Sequence, residues 1–169
     1  MTMSMIEAFV TESNRIEGIT GITRQEVDAH LQFLASTPTI DTLVKLVAVL
    51  QPDAVFRDKT SVPGVQVGSH VPPSSGPDIR SRLTIILAEQ DPWKQHLEYE
   101  ILHPFTDGNG RSGRALWLSR RGGHAPRGFL HEYYYQTLNA LGSNNQAELP
   151  CPHGRTSWKH CPHCLGLND

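Results

Sequence analysis

Residues 103–114, HPFTDGNGRSGR, bring one His, one Asp, one Asn, two Arg and three Gly into a single short stretch. Gly108 and Gly110 permit positive φ on both sides of Asn109, so successive backbone N–H groups can turn into one concavity, and such a nest binds anions. From Arg111 onward the sequence RSGRALWLSRR contains no proline and has helical character. The nest therefore opens into a helix N-terminus, where orphan N–H groups and the macrodipole also favour phosphate. Arg111 and Arg114 lie three apart and share the first turn of that helix. Two guanidiniums there oppose the macrodipole, an arrangement that makes sense when an anion sits between them. Asp107 supplies one hard oxygen ligand, adequate for Mg2+ that takes its other ligands from water and nucleotide phosphates. His103 has the side chain suited to proton abstraction near neutral pH. A glycine turn alone would be a plain loop and a lone histidine a structural one; interleaved, these residues describe phosphoryl or nucleotidyl transfer. No Gly-Lys-Ser/Thr follows, which excludes a Walker A loop. The preceding DPWKQHLEYEIL reads as helix and not strand, which excludes a dinucleotide fingerprint.

The run from His103 to Arg114 resembles the signature of the Fic family, HxFx(D/E)GNGRxxR, with every fixed position present. The resemblance implies a mainly α fold, a helical bundle whose signature loop joins two central helices, and transfer of AMP from ATP to a hydroxyl side chain of a target protein. It casts His103 as general base on that hydroxyl, Asp107 as the Mg2+ ligand, and Asn109 with the Gly108 and Gly110 amides as the anion hole. Arg111 and Arg114 would hold the β- and γ-phosphates, and Phe105 would anchor the loop in the core. Near the N-terminus, Ser13-Asn14-Arg15-Ile16-Glu17-Gly18 resembles the family's inhibitory motif (S/T)xxxE(G/N). Ser13 and Glu17 share a helix face. The resemblance pairs Glu17 with Arg114, a carboxylate standing where the γ-phosphate would bind. Without that context SNRIEG would be a solvated helix end.

The elements that must position these groups follow from periodicity and punctuation. Residues 5–18 form a short helix stopped by Gly18, within an inhibitory segment over 1–22. A capping box at Thr23-Arg24-Gln25-Glu26 starts a helix to about Ala35, with Val27, Leu31 and Leu34 on one face. After Thr37-Pro38, Ile40, Leu43, Val44, Val47 and Leu50 mark a second core helix that stops before Pro52. Between residues 57 and 76, Val62, Val65, Val67 and Val71 around Gly64 and Gly68 predict a small β-hairpin, with a plain surface loop as the alternative. The resemblance implies a flap there that would align a target segment by strand pairing; the run Pro72 to Pro77 stiffens its far end. Ile79, Leu83, Ile86 and Leu87 mark another helix. Asp91-Pro92, a cap followed by an N1 proline, opens the helix that delivers His103, with Trp93, Leu97 and Ile101 as its expected buried stripe. His96 and Glu100 read as a surface pair at i,i+4 and not as metal ligands. A last helix carries Phe129, Tyr133, Thr137 and Leu141, closing a catalytic domain over 23–141.

Residues 142–150 read as a linker to a short Cys/His-rich tail. Cys161-Pro-His-Cys164 has zinc-knuckle spacing, and Cys151 and His153, or His160 and His163 as substitutes, can complete a tetrahedral Zn2+ set. A disordered or redox-active tail is the other reading. All three cysteines lie in that tail, so the body has no disulfide framework. The net charge of −2, from 15 basic and 17 acidic residues, gives no general affinity for nucleic acid or membrane. Without an apolar span or leader pattern, a cytoplasmic location is expected. The expected partners are ATP and a protein bearing a Ser, Thr or Tyr hydroxyl, with self-modification included. The competing functions are a Fic-fold phosphotransferase, an AMP-removing enzyme, and a silent scaffold that binds through its tail. The intact GNGR argues against the phosphotransferase.

Overall fold

Side-chain caps at Thr23, Thr39 and Asp91 fix where three of the helices start. In the computed structural model, which describes residues 3–68 and 70–122, there are six helices: α1 (Met3–Ile16), α2 (Arg24–Leu34), α3 (Ile40–Leu50), α4 (Pro77–Ala88), α5 (Pro92–Leu102) and α6 (Asn109–Arg120). The last expected helix, the linker and the Cys151, His153, Cys161 and Cys164 tail lie outside the described residues. The fold is mainly α. Thr23 and Thr39 each close a capping box on the third residue of their helix. Asp91 accepts from the Lys94 N–H, and Pro92 follows at N1. Each such cap is worth about 1 kcal/mol and removes an orphan donor.

α6 lies at the centre. It packs on α5, α2, α3 and α1, and every residue from Arg111 to Leu118 is buried. A helix buried all round is ordinarily apolar. This one carries Arg111, Ser112 and Arg114 inside, so its neighbours must supply polar partners. α5 answers with Gln95, His96, Tyr99 and Leu102 as its buried side chains. That overturns the expected stripe: Trp93 and Leu97 are half-buried and Ile101 is exposed. His96 is likewise no surface residue but fully enclosed, hydrogen-bonded to the Gly113 backbone. The two helices touch closely enough that a Cβ on Gly113 would collide with Glu100 Oε1 and the Tyr99 ring. The sequence pattern misled because the residues facing α6 are chosen for hydrogen bonding, and apolar periodicity cannot see that.

The remaining core is conventional. Phe33, Leu43, Leu46, Val47, Leu50, Ile79, Leu83 and Ile86 pack with Tyr99, Phe105 and Leu116. On α3 Leu46 takes the core position expected of Val44, which is exposed. The expected hairpin reduces to one pair: Val67 and His70 exchange two backbone hydrogen bonds of 2.9 Å around Gly68. Pro63, Pro72 and Pro73 offer no N–H to extend it. The base of this flap is closed instead by the Gly76 N–H on the Arg57 carbonyl (2.9 Å) and by Ser75 Oγ on the Pro63 carbonyl (3.2 Å). Among the described residues no helix is long and apolar enough to cross a membrane.

Burial pushes His96 down to about 3 and also lowers His30. Below the ordinary 6.5 the unfolded chain binds protons that these buried rings resist, so stability is full above about pH 6.5 and is lost as pH falls below it. Each such histidine adds a slope of up to about 1.4 kcal/mol per pH unit. Urea unfolding between about pH 4 and pH 8 should show this acid loss, and His96→Gln should flatten it by one proton's worth. A slope unchanged in that variant would assign the loss to other groups.

Candidate functional site

The loop between α5 and α6 is fixed from both sides. Residues 55–57 run antiparallel to 104–106: the Arg57 N–H donates to the Pro104 carbonyl (2.9 Å), the Thr106 N–H to the Val55 carbonyl (3.0 Å), and the Val55 N–H to Thr106 Oγ1 (2.9 Å). Phe105 is buried between them and its ring lies 5.3 Å from that of Phe56. Removing a Phe side chain from water is worth about 2–3 kcal/mol, enough to hold a short loop in place. Asn109 closes the turn from within, its Oδ1 accepting from the Phe105 N–H (2.9 Å) and its Nδ2 donating to the Phe105 carbonyl (2.8 Å). The Asn109 side chain is therefore engaged with the loop backbone.

The expected nest is half realised. Gly108 adopts φ +77 and caps α6, while Gly110 has ordinary helical φ and the helix begins at Asn109, two residues earlier than expected. The helical first turn presents its N–H groups along the axis, without acceptors inside the helix. Asp107 is exposed at this end, with Oδ1 accepting from the Gly108 N–H at 2.6 Å. Ser112 Oγ donates to the Gly108 carbonyl (2.8 Å) and accepts from the Tyr99 hydroxyl (2.7 Å), tying the turn to α5.

His103 stands at the C-terminal end of α5 in the left-handed region, φ 51 and ψ 62, the one non-glycine residue with positive φ among those described. Its Nδ1 lies 3.2 Å from the Glu100 carbonyl. A carbonyl can only accept, so Nδ1 carries the proton and Nε2 keeps its lone pair. Burial pushes the imidazole pKa down, as do the charges of Arg57 and His70, while the Glu100 carbonyl and Asp107 oppose them. The acceptor nitrogen of His103 is thus set by geometry, and burial favours the uncharged ring.

Both arginines are buried, and each meets a glutamate. Arg114 donates from Nε to Ser13 Oγ (2.9 Å) and from Nη2 to the Ser13 carbonyl (2.9 Å) and Glu17 Oε1 (2.7 Å). The Glu17 carboxylate lies directly over Gly110, where an added Cβ would strike it. Arg111 donates to Gln51 Oε1 (2.9 Å) and approaches Glu26 Oε1 at 3.8 Å. Burial raises the Glu26 pKa, but the Thr23 N–H, the Asn14 amide, the Thr23 hydroxyl and the Arg111 charge outweigh it and hold the carboxyl below its usual range. Asn14 Nδ2 also bonds the Gly21 carbonyl (3.1 Å) and Glu26 Oε1 (3.1 Å), so α1 is docked through Ser13, Asn14 and Glu17 together.

Ser13, Glu17, Gly108, Gly110, Arg111 and Arg114 are brought to one end of α6, with Asp107 and His103 on the loop that leads into it. Sequence reasoning saw Glu26 only as a cap and missed Gln51 and Arg57, for which no local signal exists. Among the described residues no three His, Cys, Asp or Glu side chains group as a metal site. No protein-family model matches the chain, and no curated protein matches it.

The positive φ at His103 can be tested without an assay. His103→Ala and His103→Gly both delete the imidazole, but alanine carries a strain of about 1–2 kcal/mol at this φ that glycine escapes. In urea unfolding the glycine variant should be the more stable by about 1 kcal/mol. Alanine equal to or above glycine would mean that the backbone relaxes when the ring is lost.

Proposed function

We propose that this chain is a Fic-type adenylyltransferase that moves AMP from ATP to a hydroxyl side chain of a target protein and is held inactive by Glu17. The observation that carries this reading is the Glu17–Arg114 ion pair, seated over Gly110 at the N-terminus of α6. A carboxylate there occupies a site furnished for anions by two buried arginines and a helix dipole, as a terminal phosphate would. In the reaction, His103 Nε2 takes the proton of the target hydroxyl as its oxygen attacks the α-phosphorus and pyrophosphate leaves. Arg111, Arg114 and the first-turn N–H groups stabilise the charge that develops on the phosphates. The flap around Val67 and His70 lies next to this end of α5, because His70 Nε2 donates to the Ile101 carbonyl at 2.9 Å. It would align the target segment there.

The exposed carboxylate of Asp107 fits Mg2+, which retains water and takes phosphate oxygens, better than an ion that needs a full protein cage. Asp107 would hold the ion, which when bound neutralises phosphate charge.

Glu17→Gly should raise AMP transfer. It leaves Arg114 bonded to Ser13, so the fold should persist. His103→Ala in that background should lower transfer about 10²–10⁴-fold. The measurement supplies Mg2+ with ATP labelled on the α- or the γ-phosphate and follows transfer to the chain itself and to lysate proteins. Label from the α-position, stronger in Glu17→Gly, is the expected outcome. Label from the γ-position would make the chain a phosphotransferase, and label from neither would favour a silent scaffold.

A further inference from the structure

We propose that Arg57 is the positioning residue for His103: its guanidinium gathers the carbonyls at the end of α5 and so fixes the backbone turn that aims the imidazole. The proposal rests on the reading of His103 as the base, but the arrangement that carries it does not.

Arg57 is completely buried, yet it forms no ion pair among the described residues. Its partners are all neutral oxygens. Nη1 donates to the carbonyls of His103 (2.5 Å) and Leu102 (3.3 Å), Nη2 to the carbonyl of Pro73, and Nε to Ser75 Oγ (3.2 Å). Burying a charge without a counter-ion is among the most unfavourable things a fold can do. A hydrophobic residue would fill the volume better unless the cation has work to do at that place. The last carbonyls of α5 explain the choice. They find no N–H donor inside the helix, they carry the negative end of its dipole, and a planar fork with several donors can serve them at once.

The link to His103 runs through the main chain. The His103 N–H donates back to the Tyr99 carbonyl (2.9 Å), and its own carbonyl is held forward by Arg57. Those two bonds grip the residue on either side of its unfavourable φ of 51. The Nδ1 contact to the Glu100 carbonyl, and with it the tautomer that leaves Nε2 free, follows from that grip. Arg57 also reaches Pro73 and Ser75, so the same guanidinium ties the base of the flap to the catalytic turn. It touches no reacting atom in this scheme and acts through the carbonyl groups alone.

The test uses the full chain with Glu17→Gly as parent, carrying Arg57→Met, which keeps the stem and removes the fork, or Arg57→Lys, which keeps a cation and three donors. Nitrogen-15 correlations of the histidine rings in nucleotide-free protein report the tautomer, and the His103 signals are those lost in His103→Ala. The parent should show His103 protonated on Nδ1, Arg57→Met a mixture of tautomers, and Arg57→Lys an intermediate state. In AMP transfer, kcat should fall about 10²-fold in Arg57→Met, with KM for ATP within about two-fold, and Arg57→Lys should recover part of the loss. Unchanged ring signals in folded Arg57→Met, or a KM that rises in step with the fall in kcat, would overturn the proposal. Should Arg57→Met not fold, the same readouts on Arg57→Lys decide. If the parent itself transfers no AMP, the functional reading fails while the ring signals still judge Arg57.

Discussion

Two guanidiniums buried near the N-terminal end of α6, those of Arg111 and Arg114, are the constraint from which the rest of the described structure follows. A cation at a helix N-terminus opposes the macrodipole, and a buried cation needs partners that water can no longer supply. Each neighbouring element therefore contributes an oxygen: Ser13 and Glu17 from α1, Glu26 from α2, and Gln51 from the end of α3. The N-terminal helix docks on the bundle because it completes this set, and its apolar residues Ile6, Val10 and Ile16 add the burial that holds it there. Glu17 lies over Gly110, so the carboxylate that attaches α1 also covers the N-terminal end of α6.

The second feature is a loop made rigid by being woven into its surroundings. Phe105 enters the core, Asn109 returns its amide to the Phe105 backbone, and residues 55–57 pair with 104–106. Such fastening lets a histidine persist at positive φ, a conformation that a free loop would abandon. It also fixes which nitrogen of the imidazole is left as the acceptor.

Burial of polar residues between α5 and α6 completes the design. His96, Tyr99 and Gln95 occupy the interface that Trp93, Leu97 and Ile101 were expected to fill. Tyr99 reaches Ser112, and Gln95 Nε2 reaches the carbonyls of Ile86 and Glu89 at the end of α4. A polar helix at the centre requires a polar face opposite, and that requirement passes outward from α6 to α5 and on to α4.

How much of this was legible in the chain divides along physical lines. The helix starts at Thr23 and Asp91 and the placing of Arg111 and Arg114 three apart on one helix face depend on groups within a few residues of each other. Local geometry determines them, and the sequence alone sufficed. The pairing of Glu17 with Arg114 was expected from resemblance to a motif and not from physics, since 97 residues separate them. Glu26 beside Arg111, Gln51 on the same guanidinium, Arg57 on the His103 carbonyl and the enclosure of His96 had no local signal at all. Those contacts exist because the bundle packs α6 against four other helices at once, and periodicity reports which face of a helix is apolar, not which polar atom will be waiting opposite. The sequence determined the side-chain-capped helix starts and the local spacing of the charged residues; only the tertiary structure decided what each charge meets once water has been removed.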